Sequence, residues 1–184
     1  KQITLSENGD TIAYIFKSFS DPNVGDIAYV RVLNGSLKSG LDVYVPEKDS
    51  KDRIGSISYV SGKSRTETDE IKAGEIAGLV KLRVGRGFTT MVKPGSKVQM
   101  EEVPLPTAVY WQTVNAVNQS DEDKIGTALA KLLEEDMTVS LDMNAETGEN
   151  VLSGIGEQQI DLLRRKLKSR YKIEAVMNTP SVPY

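Results

Sequence analysis

The densest run of ionisable side chains is Arg164, Arg165, Lys166, Lys168, Arg170 and Lys172. On a helix that turns Ile160, Leu163 and Leu167 inward, Arg164, Arg165 and Lys168 point outward. Such a face is either simply solvated, with cations near the helix C-terminus, or it meets phosphates or a protein partner. Acidic residues cluster at 121–123 and at 134–136. The first cluster suits the opening turn of a helix. The second falls at the closing end, where the helix dipole disfavours anions, so it marks either a solvated face or a partner or interdomain contact. Gly62-Lys63-Ser64 ends like a phosphate-binding loop, but GxxxxGK[ST] needs glycine five positions earlier, and Ile57 stands there. Gly85-Arg86-Gly87 reads as turn chemistry rather than a phosphate cradle. Tyr110 and Trp111 are neighbours in one strand, so one faces the core and the other an open sheet face, to pack or to stack on a base.

What the 184 residues lack narrows the chemistry further. There is no Cys and no His. This excludes disulfides, thiolate nucleophiles, CxxC metal sites, Ser-His-Asp triads and HExxH zinc sites. A hydrolase or metalloenzyme complete within this chain is not expected. The 23 basic and 26 acidic groups nearly balance. Residues 1–103 hold 15 basic and 14 acidic groups, and residues 104–184 hold 8 and 12. Neither half is broadly basic, so any nucleic-acid contact must come from a local patch. No apolar run approaches the ~20 residues that span a bilayer, and no signal peptide opens the chain. The chain begins at Lys1 rather than Met and closes abruptly, so a longer polypeptide is expected around it.

Two kinds of element must position these groups. Up to residue 103 the pattern is short Val-, Ile- and Tyr-rich runs at 11–16, 26–33, 41–45, 53–60 and 75–82, separated by Gly, Asn, Asp and Ser. Asn34-Gly35 suits a tight hairpin turn. Many short strands at near-regular spacing indicate an all-β barrel over 1–103. Pro104-Leu105-Pro106 then makes a stiff connector over 104–107. From 108 to 184, strands alternate with helices. A strand at 108–117 precedes a helix capped by Ser120, with Ile125, Ala128, Leu129, Leu132 and Leu133 at helical spacing. Residues 137–143 alternate as a strand, with Met137, Val139, Leu141 and Met143 on one face. A strand at 150–153, a helix at 157–171 and a strand at 172–177 follow. The order βαββαβ is the α+β, ferredoxin-like split βαβ, with two helices on one face of four antiparallel strands.

Several stretches are recognisable. Val24-Gly25-Asp26 followed by Arg31-Val32-Leu33-Asn34-Gly35-Ser36-Leu37-Lys38-Ser39-Gly40, with Val43 and Val45, resembles the strand-turn-strand of the second domain of translational GTPases. Ile71-Lys72-Ala73-Gly74-Glu75-Ile76-Ala77 looks like a later segment of the same barrel. Asp123-Lys124, then the stretch from Ala128 to Asp136, Gly148, Ser153-Gly154-Ile155-Gly156-Glu157, Tyr171-Lys172-Ile173-Glu174-Ala175 and Pro180 are similar to domain III of elongation factor G. The resemblance spans nearly the whole chain and implies domains II and III of an elongation factor G-like protein.

That resemblance implies a fragment that is not itself an enzyme. It would bind the ribosome, through ribosomal RNA and a small-subunit protein, and couple a GTPase domain to C-terminal domains during tRNA–mRNA translocation. GTP and Mg²⁺ would belong to an absent preceding GTPase domain, and no cofactor is expected here. A cytoplasmic monomer with no membrane association is implied. Gly154, Gly156 and Glu157, which match the family's helix-start motif, join Arg164, Arg165 and Lys168 as contact candidates. Departures point to a divergent paralogue. Gln158-Gln159-Ile160 replaces the family's Leu-His-Leu, Met137 replaces a proline, and no Thr-Gly-Asp-Thr-Leu stretch is recognisable near Gly85. Two alternatives remain open: a tetracycline-resistance ribosomal protection protein, and a stand-alone RNA-binding or scaffold module.

Overall fold

In the computed structural model, residues 6–21, 25–62 and 64–181 are described, and Lys63 of the Gly62-Lys63-Ser64 turn lies outside them. The chain divides into two compact units, 1–103 and 104–184. The strands of the first are β1 (Ile12–Asp21), β2 (Gly25–Asn34), β3 (Ser36–Lys38), β4 (Asp42–Val45), β5 (Ser50–Arg53), β6 (Ile57–Ser61), β7 (Ser64–Thr68), β8 (Glu70–Lys72), β9 (Ile76–Val80) and β10 (Thr89–Val92). Eight form one antiparallel barrel sheet in the order β5-β4-β10-β1-β2-β9-β6-β7, and β3 pairs with β8. Inward alternation puts Ile15, Val30, Val32, Val43, Val45, Leu79 and Met91 in one core, which Leu37 of β3 and Ile71 of β8 complete. Full burial of each such side chain contributes roughly 1.5–3 kcal/mol.

Two local expectations change here. The run at 53–60 is two strands, because it breaks at Gly55. A Cβ there would lie 2.4 Å from the Val80 carbonyl oxygen, and Ser56 O instead accepts the Val80 amide at 3.2 Å. Asn34-Gly35 is a corner rather than a hairpin. Gly35 has φ +67° and a Cβ would meet Gly9 O at 2.4 Å, but β2 and β3 leave the corner for different sheets.

The second unit contains β11 (Tyr110–Ala116), α1 (Glu122–Glu135), β12 (Ser140–Met143), β13 (Asn150–Gly154), α2 (Glu157–Lys166) and β14 (Ala175–Asn178). The sheet order β12-β13-β11-β14, antiparallel throughout, is the ferredoxin-like arrangement. Ile125, Ala128, Leu129 and Leu132 of α1 and Ile160 and Leu163 of α2 pack on Val114 and Leu152 of the sheet. Tyr110 joins this core, whereas Trp111 on the opposite face is 52% exposed.

Three boundaries move for local reasons. Ser120 is not the helix cap: it sits in a 3-10 turn (Gln119–Asp121), and α1 starts after it without a side-chain cap bond. The strand expected from 137 begins only at Ser140. Asp136 accepts both the amide and the hydroxyl of Thr138 and folds Met137-Thr138 into a turn. Met137 is therefore exposed while Val139 is buried, and Met143, at the end of β12, is exposed as well. The second helix ends at Lys166 and widens into one π-turn (Leu167–Tyr171), closed by Lys172 at φ +60°. This delays the last strand to Ala175.

Candidate functional site

The basic run lies on α2 and its π-turn, and nearly all of it is committed within its own unit. Arg164 Nε donates to Asp161 at 3.0 Å and Arg165 Nε at 2.7 Å, one turn away on the helix. Lys168 pairs with Glu174 at 2.6 Å. All three cations remain at least half exposed. Their carboxylate partners respond: hydrogen bonds from Arg164 hold Asp161 below the usual carboxylate range, and Lys168 does the same for Glu174. These three candidates thus share two carboxylates at the surface and are accessible to a partner that can displace them.

Two of the other three cations of the run hold the helices together, while Lys172 Nζ donates to the Ser169 carbonyl. Lys166 Nζ and Arg170 Nη1 both reach Glu135, at 2.9 and 2.6 Å. The Glu135 side chain is 7% exposed and closes α1 against α2. Its neighbour Asp136 accepts from Gln159 Nε2 at 2.8 Å as well as from Thr138. Burial would raise the Asp136 pKa, but the Thr138 and Gln159 hydrogen bonds outweigh it and hold it low. Of the acidic stretch 134–136, Glu135 and Asp136 are satisfied inside the unit. Their position at the helix end is offset by cations brought from α2, which helical periodicity within α1 could not reveal.

Gln159 also explains the glycine before its helix. Its Oε1 accepts the Ile155 amide at 2.8 Å. A Cβ on Gly154 would lie 2.5 Å from that oxygen, whereas a Cβ on Gly156 meets nothing within 4 Å. A side chain at position 154 would have to push the Gln159 amide off its hydrogen bonds, whereas one at 156 would not. Glu157 stands exposed in the first turn of α2 beside open depressions lined by Gln158, Asp161, Leu162 and Arg165.

In the first unit Asp52, 6% exposed, fills a nest of backbone amides. It accepts from Arg83, Val84 and Gly85 at 3.0, 2.8 and 2.9 Å and from Arg53 at 2.8 Å. Burial opposes the charge, but the four amides prevail and keep its pKa low. Sequence reading passed over Asp52, since an acidic residue between Lys51 and Arg53 looks like ordinary surface patterning.

The turn after β6 is not built like a phosphate-binding loop. Ile57, where a phosphate loop needs its first glycine, is a buried strand residue at 1% exposure. After Gly62 comes strand β7 rather than a helix N-terminus. Among the described residues, no group of three or more Asp and Glu is placed to hold a metal ion, and no helix is long and apolar enough to cross a membrane.

Comparison with known proteins gives a consistent result for both units. Residues 10–91 match the family model for elongation factor G domain 2, and residues 105–179 match that for elongation factor G, domain III. A crystal structure of a protein from Thermus thermophilus superposes with a TM-score of 0.79 at 29% identity. The match covers 95% of this chain and 26% of that one, so this chain spans about a quarter of the length of that relative.

Proposed function

The chain belongs to the elongation factor G family as its second and third domains, and on that premise we propose that it is the ribosome-binding and interdomain-coupling part of a translational GTPase. Its role is elongation-factor-like, in translation. In this reading the parent protein is cytoplasmic and monomeric, hydrolyses GTP with Mg²⁺ in a preceding domain, and promotes tRNA–mRNA translocation. The supporting observation is that two consecutive domains of one factor are matched in the factor's own order, each on its own core. A rigid α/β unit can transmit movement as a body, which suits a coupling role.

The test uses the full-length protein. It should co-sediment with ribosomes in the presence of a non-hydrolysable GTP analogue and advance the mRNA by one codon in a toe-printing assay. Failure of both would refute the reading. The isolated chain should show no GTP binding by calorimetry, and saturable binding would place a nucleotide site in these two units. A second reading rests on Gln158-Gln159-Ile160, which departs from the family's helix motif: a ribosomal protection protein would release tetracycline from ribosomes without advancing the mRNA.

A further inference from the structure

We propose that Asn8 is a site of spontaneous deamidation, and that the segment around it keeps the chemically equivalent Asn34 from reacting until Asn8 has turned over. Asn8-Gly9 and Asn34-Gly35 are the two Asn-Gly pairs of the chain. A glycine in second place favours the reaction, because no Cβ shields its amide. The glycine nitrogen gives up its proton and attacks the asparagine Cγ. A C–N bond forms, the Cγ–Nδ2 bond breaks, and ammonia leaves behind a cyclic imide. Water then opens the ring at one of its two carbonyls, giving aspartate or isoaspartate. Water is the sole co-reactant, and nothing is oxidised or reduced.

The two pairs lie against each other and are held differently. Asn34-Gly35 forms the corner between β2 and β3, and residues 6–11 run across it as a strap. The Gly35 amide donates to the Ser6 carbonyl at 2.6 Å. Asn34 Nδ2 donates to the Asp10 carbonyl at 2.8 Å. Thr11 Oγ1 fastens the strap to the Ser36 carbonyl at 2.7 Å. The attacking nitrogen and the leaving nitrogen are thus tied to different residues, and Asn34 cannot turn onto its own following amide without breaking both bonds. The Asn34 carboxamide also fills the space where Gly9 would carry a Cβ. Asn8-Gly9 sits in the turn of the strap itself, and both residues are exposed. The Asn8 main-chain amide reaches Ser6 Oγ at 3.4 Å. Among the described residues, neither the Asn8 carboxamide nor the Gly9 amide has a hydrogen-bond partner. The reacting groups of this pair are therefore unrestrained. An isoaspartate here threads Cβ of residue 8 into the main chain. That lengthens the strap between Ser6 and Asp10, the two residues that hold Gly35 and Asn34. The clamp on the corner loosens, and Asn34 follows.

The experiment incubates the full 184-residue chain in mildly alkaline buffer and reads both positions by peptide mass spectrometry. Tryptic peptides 2–17 and 32–38 carry one pair each. In the folded chain Asn34 should lag behind Asn8 by roughly tenfold, as two hydrogen bonds must open first. In urea the two rates should converge. Asn8→Gln, an exposed and unpaired change, should melt with the parent chain and preserve Asn34 for longer. Gly9→Ala should slow position 8 and speed position 34, because its methyl group shields the one amide and displaces the other carboxamide. Equal rates in the folded chain, Asn34 reacting first, or a difference that persists in urea would overturn the assignment. Asn34 reacting as fast in Asn8→Gln as in the parent chain would overturn the order of events.

Discussion

Gln159 Nε2 donates to Asp136 Oδ2 at 2.8 Å, joining the start of α2 to the end of α1. The bond involves Gln159 and lies next to Met137, which sits between the bonded residues Asp136 and Thr138; these are two of the positions at which the sequence reading departs from its resemblance to elongation factor G. A glutamine offers a donor and an acceptor whose state does not change with pH, unlike an imidazole. The contact between the helices is therefore built without a group that titrates near neutrality.

Gln159→Leu should destabilise the second unit by about 1–3 kcal/mol, because Asp136 and the Ile155 amide each lose a partner in a half-buried place. Trp111, the chain's one tryptophan, lies in this unit and reports its urea unfolding separately. An unchanged midpoint would mean that water replaces the amide without cost.

Glu135→Ala should cost more, about 2–4 kcal/mol, since Lys166 and Arg170 would each lose the buried carboxylate they share beside the core. Asp161→Ala, which removes the half-buried partner of the exposed Arg164 and Arg165, should leave the same Trp111 midpoint nearly unmoved. Equal effects from both changes would contradict the difference in burial.

Gly154→Ala should destabilise by about 1–3 kcal/mol, because the added methyl group displaces the Gln159 side chain from its hydrogen bonds. Gly156→Ala should be tolerated, as its backbone is extended and the space is open. Thermal melts of the pair decide the matter, and the reverse order would be incompatible with this packing.

Asp52 and Asp136 both have pKa values below the ordinary carboxylate range in the folded chain. A depressed folded-state value means that the unfolded chain takes up protons first as the pH falls. Their contribution is full above that range and is lost as pH drops through it. Urea midpoints should therefore fall between about pH 6 and pH 3. In Asp52→Asn, hydrogen exchange at the amides of residues 83–85 should be faster near neutrality and less sensitive to acid. Exchange identical to the parent chain at all pH values would count against the nest.

The architecture was legible where a single element carries its own signal. Ile125, Ala128, Leu129 and Leu132 repeat at helical spacing and are buried as read. The Val- and Ile-rich runs of the barrel became strands. What stayed hidden depends on pairs far apart in sequence. The extra strands Ser64–Thr68 and Glu70–Lys72 are polar and owe their existence to their partners β6 and β3. The delayed start of β12 follows from the Asp136–Thr138 turn. Of the contact candidates, Arg164, Arg165 and Lys168 were correctly placed on the surface by periodicity. Their pairing with Asp161 and Glu174 was open to an i,i+3 and i,i+4 reading only for the first two. The convergence of Lys51 and Arg53 with Lys81 and Arg83 needs the tertiary bond from Asp52.

That bond makes the sign of one substitution run against simple electrostatics. Neutralising an acid beside a cationic surface ordinarily strengthens its hold on polyanions. Asp52, however, acts as the bolt that keeps two basic segments aligned. Exchanging it for a neutral residue would raise the net charge of the protein and yet let those two segments part, so that the local concentration of positive charge would fall.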